Sequence, residues 1–346
     1  MNYRKITCVL ITGIILFAST VISGDLDTID QKSMINDPLF NPQNITLQDD
    51  AFHRSSRLFH LETWYFDAKL VDNISLVIVI CLFQVHKTGF ILHGFYLYNN
   101  SSVEFSERKI TRLKNCDISY DIPSITIDDN LHIEGWIDDK TDQWKYNITY
   151  NDELIQTKLV FTKTVNGWKG EHALGWWLAI PHFSVKGTIV KENKETTVSG
   201  RGYHDHNIYP VYVPFLTNGY HFGSFGGEIL QVTWARIETK ENKSELFAII
   251  TKEDMNFSLI DQSDISFEIL DTIYDHGSYI PKTCRLQIDT DTIQANLTIE
   301  TLTIHFIKVT GLRYWRYHLH ITGFISSPSL YETINTTEIS ELLRFI

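Results

Sequence analysis

The first candidate for chemistry in this sequence is the segment 200–207, which reads Gly-Arg-Gly-Tyr-His-Asp-His-Asn. It ends an alternating run typical of a β-strand, so His204 and His206 should point to one face and Asp205 to the other. Imidazole and carboxyl groups transfer protons and bind metal ions in proteins. The glycines at positions 200 and 202 predict that the backbone comes close to a neighbouring part of the molecule.

Three roles remain open for these side chains. They can form a hydrogen-bonded polar plug at one end of a barrel, a catalytic or ligand-binding site, or a metal site. Two imidazoles on one strand face are too few for a metal ion, which needs a third and a fourth ligand. His221 and Glu228 are conceivable ligands, but nothing in their spacing selects them. We therefore predict no metal.

Other classes of function find no support in the sequence. There is no Gly-x-Ser-x-Gly nucleophile motif and no glycine-rich phosphate loop. The formal net charge is −12, and no Lys/Arg-rich block occurs. Nucleic acid and anionic membrane surfaces are therefore poor candidate partners.

The N-terminus reads as a secretory signal peptide over residues 1–24. Two basic residues precede an uncharged apolar run, residues 6–19, and small residues stand before Asp25. The run is short for a membrane span, which favours cleavage over an uncleaved anchor and leaves no stable span. We expect a secreted protein, either extracellular or in the lumen of the secretory pathway.

Nine Asn-x-Ser/Thr sequences suit an exported glycoprotein. Their asparagines are Asn44, Asn73, Asn99, Asn100, Asn147, Asn242, Asn256, Asn296 and Asn335. Of the four cysteines, Cys8 would leave with the signal peptide. The remaining Cys81, Cys116 and Cys284 allow one disulfide at most, so the fold is not a disulfide scaffold.

The rest of the chain predicts an all-β fold. After a polar leader, residues 25–55, short apolar runs alternate with turn signals such as Thr-Gly and Asn-Asn-Ser-Ser. This pattern is typical of closed or nearly closed antiparallel β-barrels. Only the tail, residues 338–346, has a pattern compatible with a helix. A proline-rich turn at 209–214 is the best domain boundary, which gives domains over 56–208 and 209–346.

Two aromatic regions predict a packed interior. The run 61–70 has one face that carries Glu62, Trp64, Phe66 and Ala68, and another that carries Tyr65, Asp67 and Lys69. The adjacent Trp176 and Trp177 should face opposite ways in a strand. One of them should belong to a core, and the other should line a ligand or a domain contact.

Three features together resemble the AttH-like and carotenoid 1,2-hydratase (hydroxyneurosporene synthase) superfamily, which includes lipocalin-like Diels–Alderases. The first is Glu-Thr-Trp-Tyr-Phe-Asp at 62–67. The second is Gly-Trp-Trp at 175–177, which leads through Pro181 to the His-Asp-His segment. The third is Tyr-Trp-Arg-Tyr at 314–317, followed by Thr-Gly and a later glutamate. The resemblance spans roughly residues 55–335.

The resemblance implies two tandem lipocalin-like antiparallel β-barrels, with a hydrophobic small molecule held in a barrel or between the barrels and no cofactor. The Asp-His core of the family corresponds to Asp205 and His206. Its early acidic-aromatic motif corresponds to Glu62, Trp64 and Tyr65. This chain departs from the family pattern at Thr63 and after Asn207.

Hydration of an alkene indicates how these residues could act. The reaction needs an acid, a shield for the carbocation, and a base for the incoming water. The candidate catalytic residues are Asp205, His206, His204 and Glu62, with a carboxyl as the acid and a histidine as the base. Adjacent imidazolium groups should lower the pKa of Asp205, which makes Glu62 the better acid. A plainer reading pairs Glu62 with Arg or Lys at the barrel rim.

Two functions of different class remain. The sequence slightly favours a secreted carrier that binds a polyene or isoprenoid-like molecule. The alternative is a cofactor-independent hydratase or cyclase that acts on such a molecule. In both cases the candidate ligand-binding residues are Trp64, Tyr65, Phe66, Trp176, Trp177, Tyr203 and Asn207.

Overall fold

A computed structural model of the chain describes residues 40–53, 58–86, 88–172, 175–210, 213–227, 230–241, 243–252, 256–309 and 311–346. The predicted signal peptide, the first part of the predicted leader, Glu228 and Asn242 lie outside these residues. Within them the strands form two antiparallel sheets, one a nearly closed barrel and the other a half-barrel. The prediction of an all-β, two-barrel fold is confirmed.

The first sheet contains the strands up to residue 209. They are β1 (Gln43–Asn44), β2 (Phe59–Leu70), β3 (Ile74–Val85), β4 (Thr88–Asn99), β5 (Ser102–Arg112), β6 (Cys116–Ile118), β7 (Ser124–Ile127), β8 (Leu131–Asp138), β9 (Gln143–Asn151), β10 (Ile155–Lys163), β11 (Trp168–His172), β12 (Gly175–Lys191) and β13 (Lys194–Tyr209). Their order is β5-β4-β3-β2-β13-β12-β10-β9-β8-β7-β6, with β11 paired to β12 and β1. The pairing of β2 with β13 joins the two ends of this domain in the middle of the sheet.

The second sheet contains the remaining strands. They are β14 (Thr217–Gly226), β15 (Leu230–Thr239), β16 (Ser244–Lys252), β17 (Phe257–Ile260), β18 (Ile265–Asp275), β19 (Ser278–Asp289), β20 (Gln294–Val309), β21 (Leu312–Ser327) and β22 (Leu330–Phe345). A four-residue helix, α1 (Val213–Leu216), precedes β14. Short 3-10 turns lie at Leu47–Asp50, Val71–Asn73, Leu113–Asn115 and Gln262–Asp264.

The prediction of a C-terminal helix is wrong. Residues 338–345 belong to β22, which pairs with β21 along its whole length and with β14 over Ser340–Arg344. A strand in this position satisfies backbone groups on both of its neighbours, and this tertiary pairing outweighs the local helical pattern.

Three apolar clusters divide the interior. One fills the first barrel and includes Trp64, Phe66 and Phe161, and a second fills the half-barrel around Trp234 and Trp315. The third lies between the two sheets. The predicted faces of residues 61–70 are confirmed, because alternate residues of β2 enter either the first cluster or the third.

Charged side chains also join the two barrels. Arg316 of β21 is fully buried, and its guanidinium donates to Glu341 at 3.0 Å and to the hydroxyls of Tyr98 and Tyr314 at 3.0 and 2.8 Å. It also lies 4.4 Å from the ring centroid of Tyr96. Since Tyr96 and Tyr98 come from β4, this one cation is shared by both sheets.

The predicted polar leader contributes buried residues to the first barrel. Phe52 is buried in the first barrel, and its N–H donates to the Ser119 carbonyl at 3.0 Å, whereas Phe40 is buried in the cluster between the two sheets. The 3-10 turn Leu47–Asp50 brings Asp50 inside the barrel, where its exposed fraction is 0%. This part of the chain therefore belongs to the folded domain.

The structure bears on membrane spans and on cysteine pairing. Among the residues that the structure describes, no helix is long and apolar enough to cross a membrane. Cys81, Cys116 and Cys284 are unpaired.

The glycines of the His-Asp-His segment lie where the backbone has close neighbours, as the sequence predicted. A Cβ atom at position 200 would overlap the Lys69 carbonyl oxygen of β2. At position 202 it would lie 2.5 Å from the Phe161 ring and 2.8 Å from the Asp67 carbonyl oxygen. Both glycines therefore allow β13 to approach β2 and the barrel core.

We predict that Gly200→Ala lowers the free energy of unfolding by about 1–3 kcal/mol, because β13 must move away from β2 to accommodate the methyl group. Urea unfolding followed by tryptophan fluorescence measures this loss. The matched control is Ser199→Ala at the exposed neighbouring position, with a change within about 0.5 kcal/mol. Equal stability of the two variants would contradict the close approach.

Candidate functional site

The strand β13 sends alternate side chains into two different environments. His204 and His206 are fully buried inside the first barrel. Tyr203, Asp205 and Asn207 point into the junction with the second sheet, where Tyr203 belongs to the third apolar cluster. The predicted opposition of Asp205 to the two histidines is confirmed. The candidate site therefore consists of two separate groups of residues.

Asp50 is the centre of the group inside the barrel, and no sequence pattern marked it as a candidate. Its Oδ1 accepts hydrogen bonds from His204 Nε2 at 3.0 Å and from His206 Nδ1 at 3.1 Å. Its Oδ2 accepts one from the Tyr146 hydroxyl at 2.5 Å. The other ring nitrogen of His204 donates to the Tyr65 carbonyl at 2.8 Å. Every polar atom of this group thus has a partner.

Glu62 is the second buried acid, and three histidines surround it. Its Oε1 lies 2.7 Å from His206 Nε2 and 2.9 Å from His53 Nδ1, and it also accepts from the His53 backbone N–H at 3.1 Å. Its Oε2 lies 2.5 Å from His60 Nε2. The plainer prediction of a partner from Arg or Lys is wrong. Glu62 Oε1, His53 Nδ1 and His206 Nε2 also lie within 4.8 Å of one another, and these are atom types that bind divalent cations.

Aromatic rings enclose both imidazoles of β13. Phe66 stacks on His204 with a centroid distance of 3.9 Å, and Trp64 stacks on His206 at 4.4 Å. Trp176 meets His206 edge-on at 5.3 Å. The predicted ligand-binding residues Trp64, Phe66 and Trp176 therefore pack against the polar group.

Hydrogen bonds fix the charges inside the barrel. Burial acts to raise the pKa of Asp50, but the charge and hydrogen bond of His204, and then those of His206, hold it well below its usual range. Burial also opposes ionisation of Glu62, whose pKa is nevertheless lowered to about 2 by hydrogen bonds from His206, His53 and His60. Burial would lower the pKa of His206, but Asp50 and Glu62 raise it to about 9.

Each buried carboxylate of the inner group is therefore paired with imidazole groups. Both ring nitrogens of His204 face acceptors, a carbonyl and a carboxylate, so both carry hydrogen. His206 likewise lies between two carboxylates. The two carboxylates in this apolar barrel thus accept hydrogen bonds from imidazole N–H groups, which is the arrangement that makes buried charges tolerable.

The predicted ranking of the two acids is reversed. Glu62 is an ionised acceptor and cannot donate a proton at neutral pH. Burial raises the pKa of Asp205 well above its usual range, and the nearby acids Glu341 and Asp67 add to the effect. The charge of His206 opposes this rise only weakly, because the imidazole points to the other face of the strand.

The outer face of β13 and β2 forms the second group. Asp205 accepts hydrogen bonds from the Tyr203 hydroxyl at 3.0 Å and from the Asn207 side chain at 2.9 Å. Asp67 of β2 pairs across the strands with Tyr203 and has an exposed fraction of 6%. Burial raises the pKa of Asp67 to about 7, assisted by Glu341 and opposed by the ammonium of Lys69 and the hydroxyl of Tyr65.

A groove between the barrels leads to Asp67. Its outer part, about 520 Å3, is lined by both polar and apolar groups, and its polar side chains include His182, Arg201 and Glu332. Its narrow inner end, about 20 Å3, is lined by Asp67, Tyr203 and other residues of both barrels, with His182, Arg201 and Gly226 common to the two parts. Asp67 was on the correct face of the predicted strand, but the sequence did not mark it as a functional residue.

Arg201 and Lys69 hold this groove together. Arg201 donates to the Gly226 carbonyl at 2.9 Å and pairs with Glu338 at 3.1 Å. Lys69 also pairs with Glu338. Lys69 and Arg201 belong to the first sheet, and their partners Glu338 and Gly226 belong to the second. The groove therefore lies beside ion pairs that cross the junction.

The remaining predicted ligand-binding residues lie in the junction. Trp177 is buried against Trp168, Phe222 and Phe247 in the third apolar cluster, to which Tyr65 also belongs. The expected division of the tryptophan pair is confirmed, since Trp177 forms a domain contact and Trp176 packs on the first core. His221 lies in the second sheet and bonds Ser340 at 3.2 Å, away from the histidines of β13.

The predicted glycosylation positions lie mostly at the surface. Their exposed members are Asn44, Asn73, Asn99, Asn100, Asn256, Asn296 and Asn335. Asn147 is half-buried.

Solved structures share this two-barrel fold. A protein provisionally named AttH, NE1406 from Nitrosomonas europaea, aligns with a TM-score of 0.66 at 15% identity, over 88% of this chain and 98% of its own. Kievitone hydratase from Nectria haematococca aligns with a TM-score of 0.54 at 11% identity, over 82% of this chain and 88% of its own. CghA, in a structure with Sch210972, aligns with a TM-score of 0.56 at 10% identity, over 83% and 88%.

The predicted resemblance to the AttH-like superfamily is confirmed in the fold. No protein-family model matches the sequence, and no curated protein does. Identities of 15% or less carry the architecture alone, so the activity of this chain has to be argued from its own residues.

We predict that Asp50→Asn lowers the free energy of unfolding by about 3–5 kcal/mol, because it leaves His204 and His206 without their shared counter-charge. Urea unfolding at neutral pH measures the loss. The matched control is Asp49→Asn, which removes a part-exposed ion pair with Lys169 but keeps a side-chain oxygen that can accept the hydrogen bonds from Thr46, so stability should change by about 1 kcal/mol or less. A loss below 1 kcal/mol for Asp50→Asn would show that the inner group does not stabilise the barrel.

Proposed function

We propose that this protein is a hydratase or cyclase that acts on a small molecule with an apolar body at the junction of its two barrels, with Asp67 as the acid–base group. The observation that carries the proposal is the position of Asp67, a buried carboxyl at the inner end of the groove. The groove supplies a path to this carboxyl from outside.

The chemistry of the lining favours a substrate with two parts. The inner end brings Asp67 next to the apolar residues Pro181, Tyr203 and Phe225. At about 20 Å3 it has room for about one water molecule, so the apolar end of a substrate would enter only as the lining side chains move apart. The outer groove offers Arg201, Glu332 and several hydroxyl and amide groups, which suit oxygen substituents. A molecule that is apolar at one end and oxygenated at the other fits better than a pure hydrocarbon polyene.

Asp67 has the property that general acid catalysis needs. A carboxyl whose pKa is about 7 is about half protonated at neutral pH and largely protonated at mildly acidic pH, whereas an ordinary aspartate is ionised at both. A catalytic group works best when its pKa lies near the working pH. Asp205 keeps a separate role, since both of its oxygens accept hydrogen bonds and position Tyr203 and Asn207.

Hydration would proceed as follows. The Asp67 carboxyl gives its proton to one carbon of an electron-rich double bond, whose π electrons form the new C–H bond. Water adds to the cationic carbon next to it, and the Tyr203 and Phe225 rings line the inner end where that charge develops. The added water then returns a proton to the Asp67 carboxylate. Water is the only co-substrate of hydration. In cyclisation a second double bond attacks the cation in place of water, and a proton lost from the carbon beside the new cationic centre returns to the Asp67 carboxylate as a double bond forms.

The structural neighbours are compatible with this chemistry. One of them is a hydratase by name, and another has been solved with a small molecule, Sch210972. These statements concern those proteins, and the shared two-barrel fold is what extends to this chain.

Binding without chemistry is the second candidate. It is favoured by the inner group, because the predicted catalytic residues Glu62, His204 and His206 use their polar atoms in hydrogen bonds within the barrel. A carrier would hold its ligand in the groove and return it unchanged. Export also belongs to the proposal, and the N-terminal sequence and the exposed sequons support it.

We predict that Asp67→Asn reduces turnover about 100- to 10,000-fold and leaves ligand binding intact, because an amide fills the same space and cannot donate an acidic proton. The purified protein is incubated with oxygenated prenyl compounds and polyenes, and products are detected by mass spectrometry. In the wild type kcat/KM should be constant below pH 7 and fall about tenfold per pH unit above about 7, since only protonated Asp67 is active.

The control for this experiment is Asp117→Asn on the exposed strand β6, which should match the wild type. A ligand that is retained unchanged by the wild type would favour the carrier. Equal turnover by Asp67→Asn and the wild type would remove Asp67 from the mechanism.

We also predict that the protein expressed in eukaryotic cells reaches the medium with Asp25 as its first residue and with N-linked glycans. N-terminal sequencing and the mobility shift after N-glycosidase treatment measure both features. A cytosolic, unglycosylated chain that keeps residues 1–24 would contradict export.

A further inference from the structure

One end of the first barrel brings a carboxylate and three imidazoles together. Glu62 Oε1 lies 2.7 Å from His206 Nε2 and 2.9 Å from His53 Nδ1. Glu62 Oε2 lies 2.5 Å from His60 Nε2. One cationic partner would be enough to pair with Glu62. The fold instead places the ring nitrogens of three histidines around it. Several imidazole nitrogens close to one carboxylate oxygen are a set of atoms that can bind a metal ion together.

The chemical types fit a transition-metal ion. Two imidazole nitrogens and one carboxylate oxygen form the His2Glu set that zinc uses when a fourth position is left for water. The three atoms Glu62 Oε1, His53 Nδ1 and His206 Nε2 lie within 4.8 Å of one another, close enough for a modest adjustment to place them around one ion. The nitrogen hydrogens that now point to Glu62 would leave as protons, and each freed lone pair would bind the metal.

The surroundings also match those of a metal site. Ligand histidines usually donate their second ring nitrogen to a carboxylate or carbonyl, which fixes the ring. His206 does so, because its Nδ1 lies 3.1 Å from Asp50. His60 holds the Glu62 oxygen that faces away from the three-atom set. Trp64 stacks on His206 and Trp176 closes its edge, which gives an apolar shell.

The barrel gives an ion a way in. The side chains of Glu62 and His206 have an exposed fraction of 0%, whereas that of His53 is 32% exposed. His53 is therefore the one of the three that is in contact with solvent. It follows the 3-10 turn that carries Asp50 and makes an edge contact with Trp176 at 4.9 Å.

We propose that His53, Glu62 and His206 bind one divalent transition-metal ion of the Zn2+ class, with Asp50 and His60 as positioning residues. This site goes beyond the proposed function, because it lies on the opposite face of β2 and β13 from Asp67. The sequence alone could not find it, since its ligands come from three separate places in the chain.

The experiment uses the full chain, stripped with a chelator and dialysed. Titration with Zn2+ followed by calorimetry should give one site per chain, and metal analysis after gel filtration should recover one Zn2+ per chain. Co2+ should give visible absorption bands of a low-symmetry site with nitrogen and oxygen ligands. This spectrum reports on the wild type and does not depend on a variant that folds.

His53→Ala should weaken Zn2+ binding by at least about tenfold, because it removes the exposed ligand and leaves the buried pairs in place. His60→Gln should weaken binding by about 10- to 100-fold through the loss of its hold on Glu62. The matched control is His276→Ala. His276 Nδ1 also lies 2.6 Å from a carboxylate, that of Asp275, but at an exposed position, so its loss should leave binding unchanged.

Two outcomes would overturn the proposal. One is the absence of bound Zn2+ and of Co2+ bands in the folded wild type, which would leave the cluster as a hydrogen-bonded plug. The other is binding that His53→Ala and His60→Gln do not change, which would place the ion elsewhere. Neither outcome affects the junction chemistry, because turnover by the chelator-treated protein and by Asp67→Asn is measured separately.

Discussion

The charges buried inside the first barrel constrain the rest of the domain. Asp50, His204 and His206 have no contact with solvent, and an unpaired ion in that position would be strongly destabilising. The charged groups inside the barrel are therefore paired only when the segment before β2 places Asp50 next to the histidines of β13. Residues that are 154 positions apart in the chain must meet for either end to be stable. The N-terminal segment is thus part of the fold and not an appendage to it.

A second consequence follows from the alternation of β13. Asp205 and His206 are neighbours in the chain, yet the pKa of the acid is raised and that of the base is raised to about 9. Each value is set by the partners on its own face of the strand. Sequence proximity suggested that the two groups would act on each other, and the pleat of the strand separates them. In a strand, the groups that set the pKa of a side chain are therefore those on its own face, before those next to it in the sequence.

Much of the fold could be predicted from the sequence, because strand periodicity and turn residues are local signals. The faces of β2, the opposition of Asp205 to the histidines, and the division of Trp176 and Trp177 all follow from a period of two. The site could be predicted only in part. Asp50 and His53 lie in a segment without periodicity. The sequence placed Asp67 on one face of its strand, but no local signal shows that the second sheet buries that face. The tail lost its predicted helix for the same reason, since its pairing partners are distant in sequence.

The inner group and the junction are linked by the register of β2 and β13. A shift of one residue would turn His204 and His206 into the junction. It would also place Asp205 among the aromatic rings of the barrel without a cationic partner. The imidazoles, their two acids and the stacked Trp64 and Phe66 therefore fix the register of this strand pair. The same register places Asp67 opposite Tyr203 and Lys69 opposite Arg201 at the groove. With or without a bound metal ion, the inner group fixes the register that positions Asp67, the carboxyl that we propose as the acid–base group.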